Sequence, residues 1–203
     1  MKKIFLALIL AVASMGIVNA QNVHLVMKSV LNNFNATRSM SADFALTSSQ
    51  INEKGTIVMS GTKFRILSND YKCWYDGQKQ WLYTTITDEV NILEPTKEEL
   101  ESNNPYFAVM RYNTNFSPSL HSQTATDYII KLKSRNQYVD VTSIMLTIDK
   151  TSYLIKKAVA TMIDDSTQTI ELTNYKLNEN INPSVFVFDS KLVPQGTQVI
   201  DLR

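Results

Sequence analysis

Tyr71-Lys72-Cys73-Trp74-Tyr75-Asp76-Gly77-Gln78-Lys79-Gln80-Trp81-Leu82-Tyr83-Thr84-Thr85 is the stretch on which the rest of the chain turns. Two short runs rich in aromatic residues flank Asp76-Gly77, a pair suited to the backbone angles of a tight reversal. The segment predicts a β-hairpin with strands at Tyr71 to Tyr75 and Gln80 to Thr85. Similar runs lie on either side: Thr56 to Ser60 and Lys63 to Leu67 before it, Glu89 to Leu93 after it. Gly61, Asn69-Asp70 and Thr87-Asp88 separate them. Asn52-Glu53-Lys54-Gly55 reads as one more turn, with Gly55 free to take positive φ. Further back, Met40, Ala42, Phe44 and Leu46 alternate with Ser41, Asp43 and Thr47, the pattern of a half-buried strand.

Ahead of these strands, Val23, Met27, Val30 or Leu31, and Phe34 recur at helical spacing and predict one helix of about three turns. Between Pro95 and Arg111 the strand rhythm stops. Thr96 with Glu99 forms a capping-box pattern, and Leu100, Phe107, Val109 and Met110 form an apolar stripe suited to short covering helices. Asn113 to Thr126 is polar and reads as a loop. Strands then resume at Tyr128 to Leu132, Val141 to Ile148, Tyr153 to Met162, Thr169 to Leu177 and Val185 to Phe188. Short strands joined by polar turns favour antiparallel pairing over βαβ crossovers. The expected fold is mainly β (α+β): a single strongly curved antiparallel sheet of about ten strands, an incomplete barrel with helices covering the opening.

The N-terminus reads as an export signal. Lys2-Lys3 precede an apolar run from Ile4 to Val18, and Val18-Asn19-Ala20 supplies small residues before a cleavage point. Residues 1–20 are thus expected to be removed, leaving 21–203 as one exported domain in the periplasm. The formal charge of +1 becomes −1 without the two signal lysines, which argues against nucleic acid or an anionic membrane as partner. A single cysteine, Cys73, excludes an internal disulfide and reads as a small buried hydrophobe.

A curved sheet under helices encloses an interior, which its side chains either fill or line. The inward candidates are Phe44, Met59, Phe64, Ile66, Trp74, Trp81, Tyr83, Ile92, Phe107, Met110, Ile144, Leu146 and Ile148. As a lining they would form a deformable apolar wall; as a filling they would be the core of a β-sandwich. Trp81 and Tyr83, two apart, are expected to share a face bordering that interior. The segment Pro95 to Arg111 is expected to be a movable cover, with Phe107 and Met110 facing inward.

Catalytic signatures are missing. His24 and His121 stand apart from any nucleophile motif, and there is no G-x-S-x-G, H-E-x-x-H or glycine-rich phosphate loop. Asp88-Glu89 and Asp164-Asp165 fall where turns are expected, and Lys131, Lys133 and Arg135 alternate along a solvated strand face. The residues point to a binding protein without metal or cofactor, not an enzyme.

Asp76-Gly77, three residues, then Trp81-Leu82-Tyr83 resembles a hairpin of the LolA-type carriers of outer-membrane lipoproteins. Ser41-Ala42-Asp43-Phe44, Gly55 to Met59, Phe64-Arg65, Asn104-Pro105-Tyr106-Phe107 and Phe186-Val187-Phe188 followed by Pro194 and Gly196 resemble further family segments in the same order. The resemblance implies a lidded half-barrel with a cavity for acyl chains. It also implies a monomeric periplasmic shuttle between an inner-membrane lipoprotein-releasing transporter and an outer-membrane acceptor, carrying acylated lipoproteins. The family's Lys-Arg-Pro between its second and third strands is replaced here by Ser60-Gly61-Thr62-Lys63, so its lid-holding arginine has no counterpart at that place.

Overall fold

The computed structural model describes residues 23–96, 99–100, 112–136 and 140–203. Helix α1 occupies 23–36, about four turns, a turn more than the apolar stripe suggests. Val23, Val26, Met27 and Val30 are buried while His24, Leu25 and Lys28 face solvent, as an amphipathic helix laid on a sheet requires.

The strands are β1 Ser39–Thr47, β2 Asn52–Ser60, β3 Lys63–Ser68, β4 Tyr71–Tyr75, β5 Gln80–Thr84, β6 Glu89–Leu93, β7 Phe116–Gln123, β8 Asp127–Ser134, β9 Val141–Asp149, β10 Ile155–Met162, β11 Thr167–Leu177 and β12 Gln198–Asp201. A one-turn helix α2, Tyr112–Asn115, leads into β7. All twelve strands form one sheet in the order β12-β6-β5-β4-β3-β2-β1-β11-β10-β9-β8-β7. The sheet curves without closing, leaving β12 and β7 as its edges.

Several expectations need correction. Asn113 to Thr126 is not a loop: it holds α2 and β7. β7 pairs only with β8, and an edge strand tolerates both its polar side chains and Pro118, which need satisfy one neighbour only. Val185 to Phe188 is not a strand either. Pro183–Phe186 and Ser190–Leu192 are 3-10 turns, capped by the Asn182 and Asp189 side chains accepting from the amides of Ser184 and Lys191. The last strand is β12, and it runs parallel to β6, the one departure from antiparallel pairing among the described residues.

The stretch Asn52-Glu53-Lys54-Gly55 is also strand, not turn. The reversal lies at 48–51, where the Ser48 hydroxyl accepts from the Gln50 and Ile51 amides. Gly55 stands opposite Phe44 in β1 and Ser68 in β3. A Cβ there would come within 2.0 Å of the Leu67 carbonyl oxygen and 2.8 Å of the Phe44 ring. The glycine is required by close approach, not by positive φ. Gly55→Ala is therefore expected to lower unfolding free energy by about 3 kcal/mol, measured by urea denaturation; a change below about 0.5 kcal/mol would mean the strands part freely.

Register sorts the side chains onto two faces. On the inner face the pairs Met40–Met59, Met59–Phe64 and Phe64–Tyr75 form one row, and Ala42–Ile57, Ile57–Ile66 and Ile66–Cys73 the next. These belong to one buried cluster that also receives Leu172, Phe34 and Leu100. Beyond β11 the same face continues into a second cluster, where Ile130, Leu132, Leu146, Ile148 and Ile155 are packed beneath Val23, Met27 and Val30 of α1. On the outer face, Trp74, Tyr83 and Val90 are sealed by the C-terminal segment through Phe188 and Val193.

Candidate functional site

The inner face is filled unevenly, and the sequence of β2 to β5 explains why. At one end of these strands the row Met59, Phe64, Tyr75 and Gln80 is bulky. At the other end the corresponding positions are Gly55, Ser68, Tyr71 and Thr84, three of them small. A cavity of about 630 Å³ remains at that end, within the roughly 300–1,000 Å³ range of small-ligand sites. Its wall is formed by Phe44, Leu46, Ile57, Ile66, Ile170 and Leu172. Its rim is built by three turns: 48–51 with Gln50 and Ile51, 69–70 with Asp70, and 85–88 with Thr85 and Ile86. Ile86 is 94% exposed at the tip of its turn, an apolar side chain held in water beside an apolar hollow.

The polar groups of the site are few. Burial pushes the Tyr71 hydroxyl well above the usual tyrosine range, assisted by neighbouring Cys73. Ser68 closes the β3–β4 reversal: its hydroxyl donates to the Tyr71 carbonyl at 3.0 Å and accepts from the Tyr71 amide at 3.2 Å. Cys73 is fully buried, and burial raises its thiol pKa despite opposing hydrogen bonds from Gln80 and Tyr71. A buried neutral thiol is a packing group. Among the described residues no three His, Cys, Asp or Glu side chains converge as a metal site.

Of the side chains expected to face the interior, the structure brings Phe44 and Ile66 to the cavity wall. Met59 and Phe64 share that face but are packed at its filled end. Trp74, Trp81 and Tyr83 require correction. Trp81 and Tyr83 do share a face, but with Trp74 and the cross-strand neighbour Ile92 it is the outer one, under the C-terminal segment. The Trp74 ring meets Phe188 edge-on, with centroids 5.4 Å apart. Ile144, Leu146 and Ile148 lie on the inner face but beneath α1, away from the cavity. Phe107 and Met110 lie outside the described residues, as does most of Pro95 to Arg111. The capping box that opens the segment is formed: the Thr96 amide donates to Glu99 Oε2 at 2.7 Å and the Glu99 amide to Thr96 Oγ1 at 3.3 Å.

Leu46, Ile57, Ile170 and Leu172 are wall residues that the inward list lacked. Alternation within β1 contained a signal for Leu46, two residues beyond Phe44. Ile170 and Leu172 alternate within β11, but only the β1–β11 pairing, which sets Leu46 against Ile170 and Phe44 against Leu172, joins them to the site.

Residues 17–165 match the family model described as outer membrane lipoprotein carrier protein LolA. No curated protein matches the chain. Among solved structures, an uncharacterized conserved protein from Thermus thermophilus superposes with a TM-score of 0.61 at 10% identity, over 89% of this chain and 99% of that one. The Mycobacterium tuberculosis lipoprotein LppX does so with a TM-score of 0.53 at 11% identity, over 80% of this chain and 98% of that one. At such identities the likeness is one of fold.

Proposed function

The chain belongs to the LolA family of outer membrane lipoprotein carrier proteins, and on that premise we propose that it binds acyl chains of lipoproteins in the inner-face cavity and carries them across the periplasm. The observation that carries the reading is an apolar hollow of about 630 Å³ at the open end of an otherwise well-packed sheet. Each lipid methylene taken out of water gains about 0.8 kcal/mol. Ten would supply roughly 8 kcal/mol, enough to hold a chain during transit without covalent chemistry. The protein acts by binding, not catalysis, after export by its N-terminal signal, and as a monomer. Its partners are an inner-membrane releasing transporter and an outer-membrane acceptor.

Release needs a site that is not too good. A wall of Phe, Leu and Ile at a mouth formed by turns can relax when the ligand leaves, so the cargo passes to an acceptor that binds it more tightly. Gently purified protein analysed by native mass spectrometry is expected to retain acylated peptide or lipid, and depletion is expected to strand outer-membrane lipoproteins at the inner membrane. Protein free of apolar ligand and unable to take up a neutral environment-sensitive fluorophore would overturn the reading. Lipid uptake with normally sorted lipoproteins would overturn the shuttle and leave a lipid-binding protein of the same fold.

A further inference from the structure

We infer that the cargo of the cavity is an amphiphile whose head carries a positive charge. The inference rests on the acyl-binding reading of the cavity and adds the chemistry of what sits at its mouth. The charged side chains among the described lining residues are Glu53 and Asp70, both carboxylates, and no described lysine or arginine lines it. Lys54 and Lys72, the next residues along from Glu53 and Tyr71, point to the opposite face because successive strand side chains alternate. Lys72 is engaged there, its Nζ 3.0 Å from the Asn69 carbonyl oxygen and 4.9 Å from the centroid of the Tyr83 ring. They do not neutralise the mouth.

Glu53 makes the sign of the site consequential. It stands opposite Leu46 in the cavity wall, and its Oε2 is buried without a hydrogen-bond partner. A carboxylate oxygen removed from water and left without a donor is costly, and a partner that supplies one recovers more than a typical neutral hydrogen bond. Asp70 accepts from the Thr85 hydroxyl at 3.1 Å, which leaves acceptor capacity on its carboxylate. An ammonium head on a chain lying along Phe44, Ile57 and Ile66 would meet both acids. A phosphate, sulfate or carboxylate head would be repelled, and an uncharged head would leave the half-buried Glu53 carboxylate without a countercharge.

The test is displacement of a neutral naphthylamine fluorophore from the folded protein at pH 7 by dodecylamine, dodecanol and dodecanoate, which share one chain and differ in head charge. Dodecylamine is expected to displace the probe at a concentration at least about tenfold below dodecanoate, with dodecanol between them. In Glu53→Gln combined with Asp70→Asn the amine-to-acid ratio is expected to fall to within about threefold, while Lys54→Gln on the other face retains the wild-type ratio. Thermal melts of each variant exclude unfolding, and Glu53→Gln alone serves if the double variant is unstable. Equal displacement by amine and acid, or a preference that survives in folded Glu53→Gln and in the double variant, would overturn the inference while leaving the acyl-binding cavity standing. Failure of all three compounds would overturn both. Two further pairs identify the source of the head: a dipalmitoyl lipopeptide with a free α-amino group against its N-acetylated form, and phosphatidylethanolamine against phosphatidylglycerol. A preference in the first pair alone assigns a lipopeptide, in the second alone a phospholipid, and in neither overturns the inference.

Discussion

Trp74→Ala is expected to lower unfolding free energy by about 4 kcal/mol while leaving acyl uptake by the folded protein unchanged. Trp74 is fully buried, and its ring is held edge-on against Phe188, so truncation removes a large contact area and opens a void that the strands cannot close. That void lies on the outer face, among Tyr83, Val90 and Val193, with the whole thickness of the sheet between it and the cavity. Urea unfolding gives the stability, and fluorophore displacement well below the unfolding midpoint gives the binding. Loss of binding in protein that is demonstrably folded would return Trp74 to the cavity side and undo the assignment of faces.

Ile66→Trp is the converse case, with a large effect on binding and a small one on folding. Ile66 lies between Ile57 and Cys73 on the inner face and contributes to the cavity wall. An indole placed there can enter existing empty space in place of forcing neighbours apart, so stability is expected to change by less than about 1.5 kcal/mol. The same ring occupies volume that an acyl chain needs, so affinity for a twelve-carbon chain is expected to fall at least about tenfold. Undiminished affinity in the folded variant would show that acyl chains bind elsewhere.

The two substitutions together separate stability from function along a boundary that the chain itself does not display. Trp74 and Ile66 belong to adjacent strands with the same apolar character and the same alternation, yet one serves a sealed core and the other a hollow. What distinguishes them is which of two equally apolar faces receives α1 and the cavity and which receives the C-terminal segment. The β3–β4 hairpin is apolar on both sides: Ile66 and Cys73 face in, Trp74 faces out. Period-two patterning indicates that side chains alternate but carries no sign for the inner face when both faces are buried. Hence alternation groups Trp74, Trp81 and Tyr83 on one face and Phe44 and Ile66 on the faces of their own strands, while only the packing of the C-terminal segment marks the first group as outer.

The misread segments have similar physical causes. Asn52 to Gly55 carries turn-forming residues, but Gly55 is there because the Phe44 ring and the Leu67 carbonyl leave no room for a Cβ. A close approach and a positive φ call for the same residue. β7 reads as a loop because an edge strand has one partner and tolerates proline. β12 carries no local strand signal, because its parallel partner β6 is remote in sequence and the pairing depends on the C-terminal segment first crossing the outer face.

Local sequence alone determined the amphipathic α1, the capping box at Thr96 and Glu99, and the strands β1, β3 to β6 and β8 to β11, because alternation, turn residues and capping pairs act over a few neighbouring residues. Tertiary structure alone decided which face is inner, that β1 meets β11 so that Leu46 and Phe44 join Ile170 and Leu172 around one cavity, and that Gly55, Ser68 and Thr84 leave it open. Those outcomes depend on long-range pairing and on volume left unfilled between strands, and an empty space belongs to no residue in the chain.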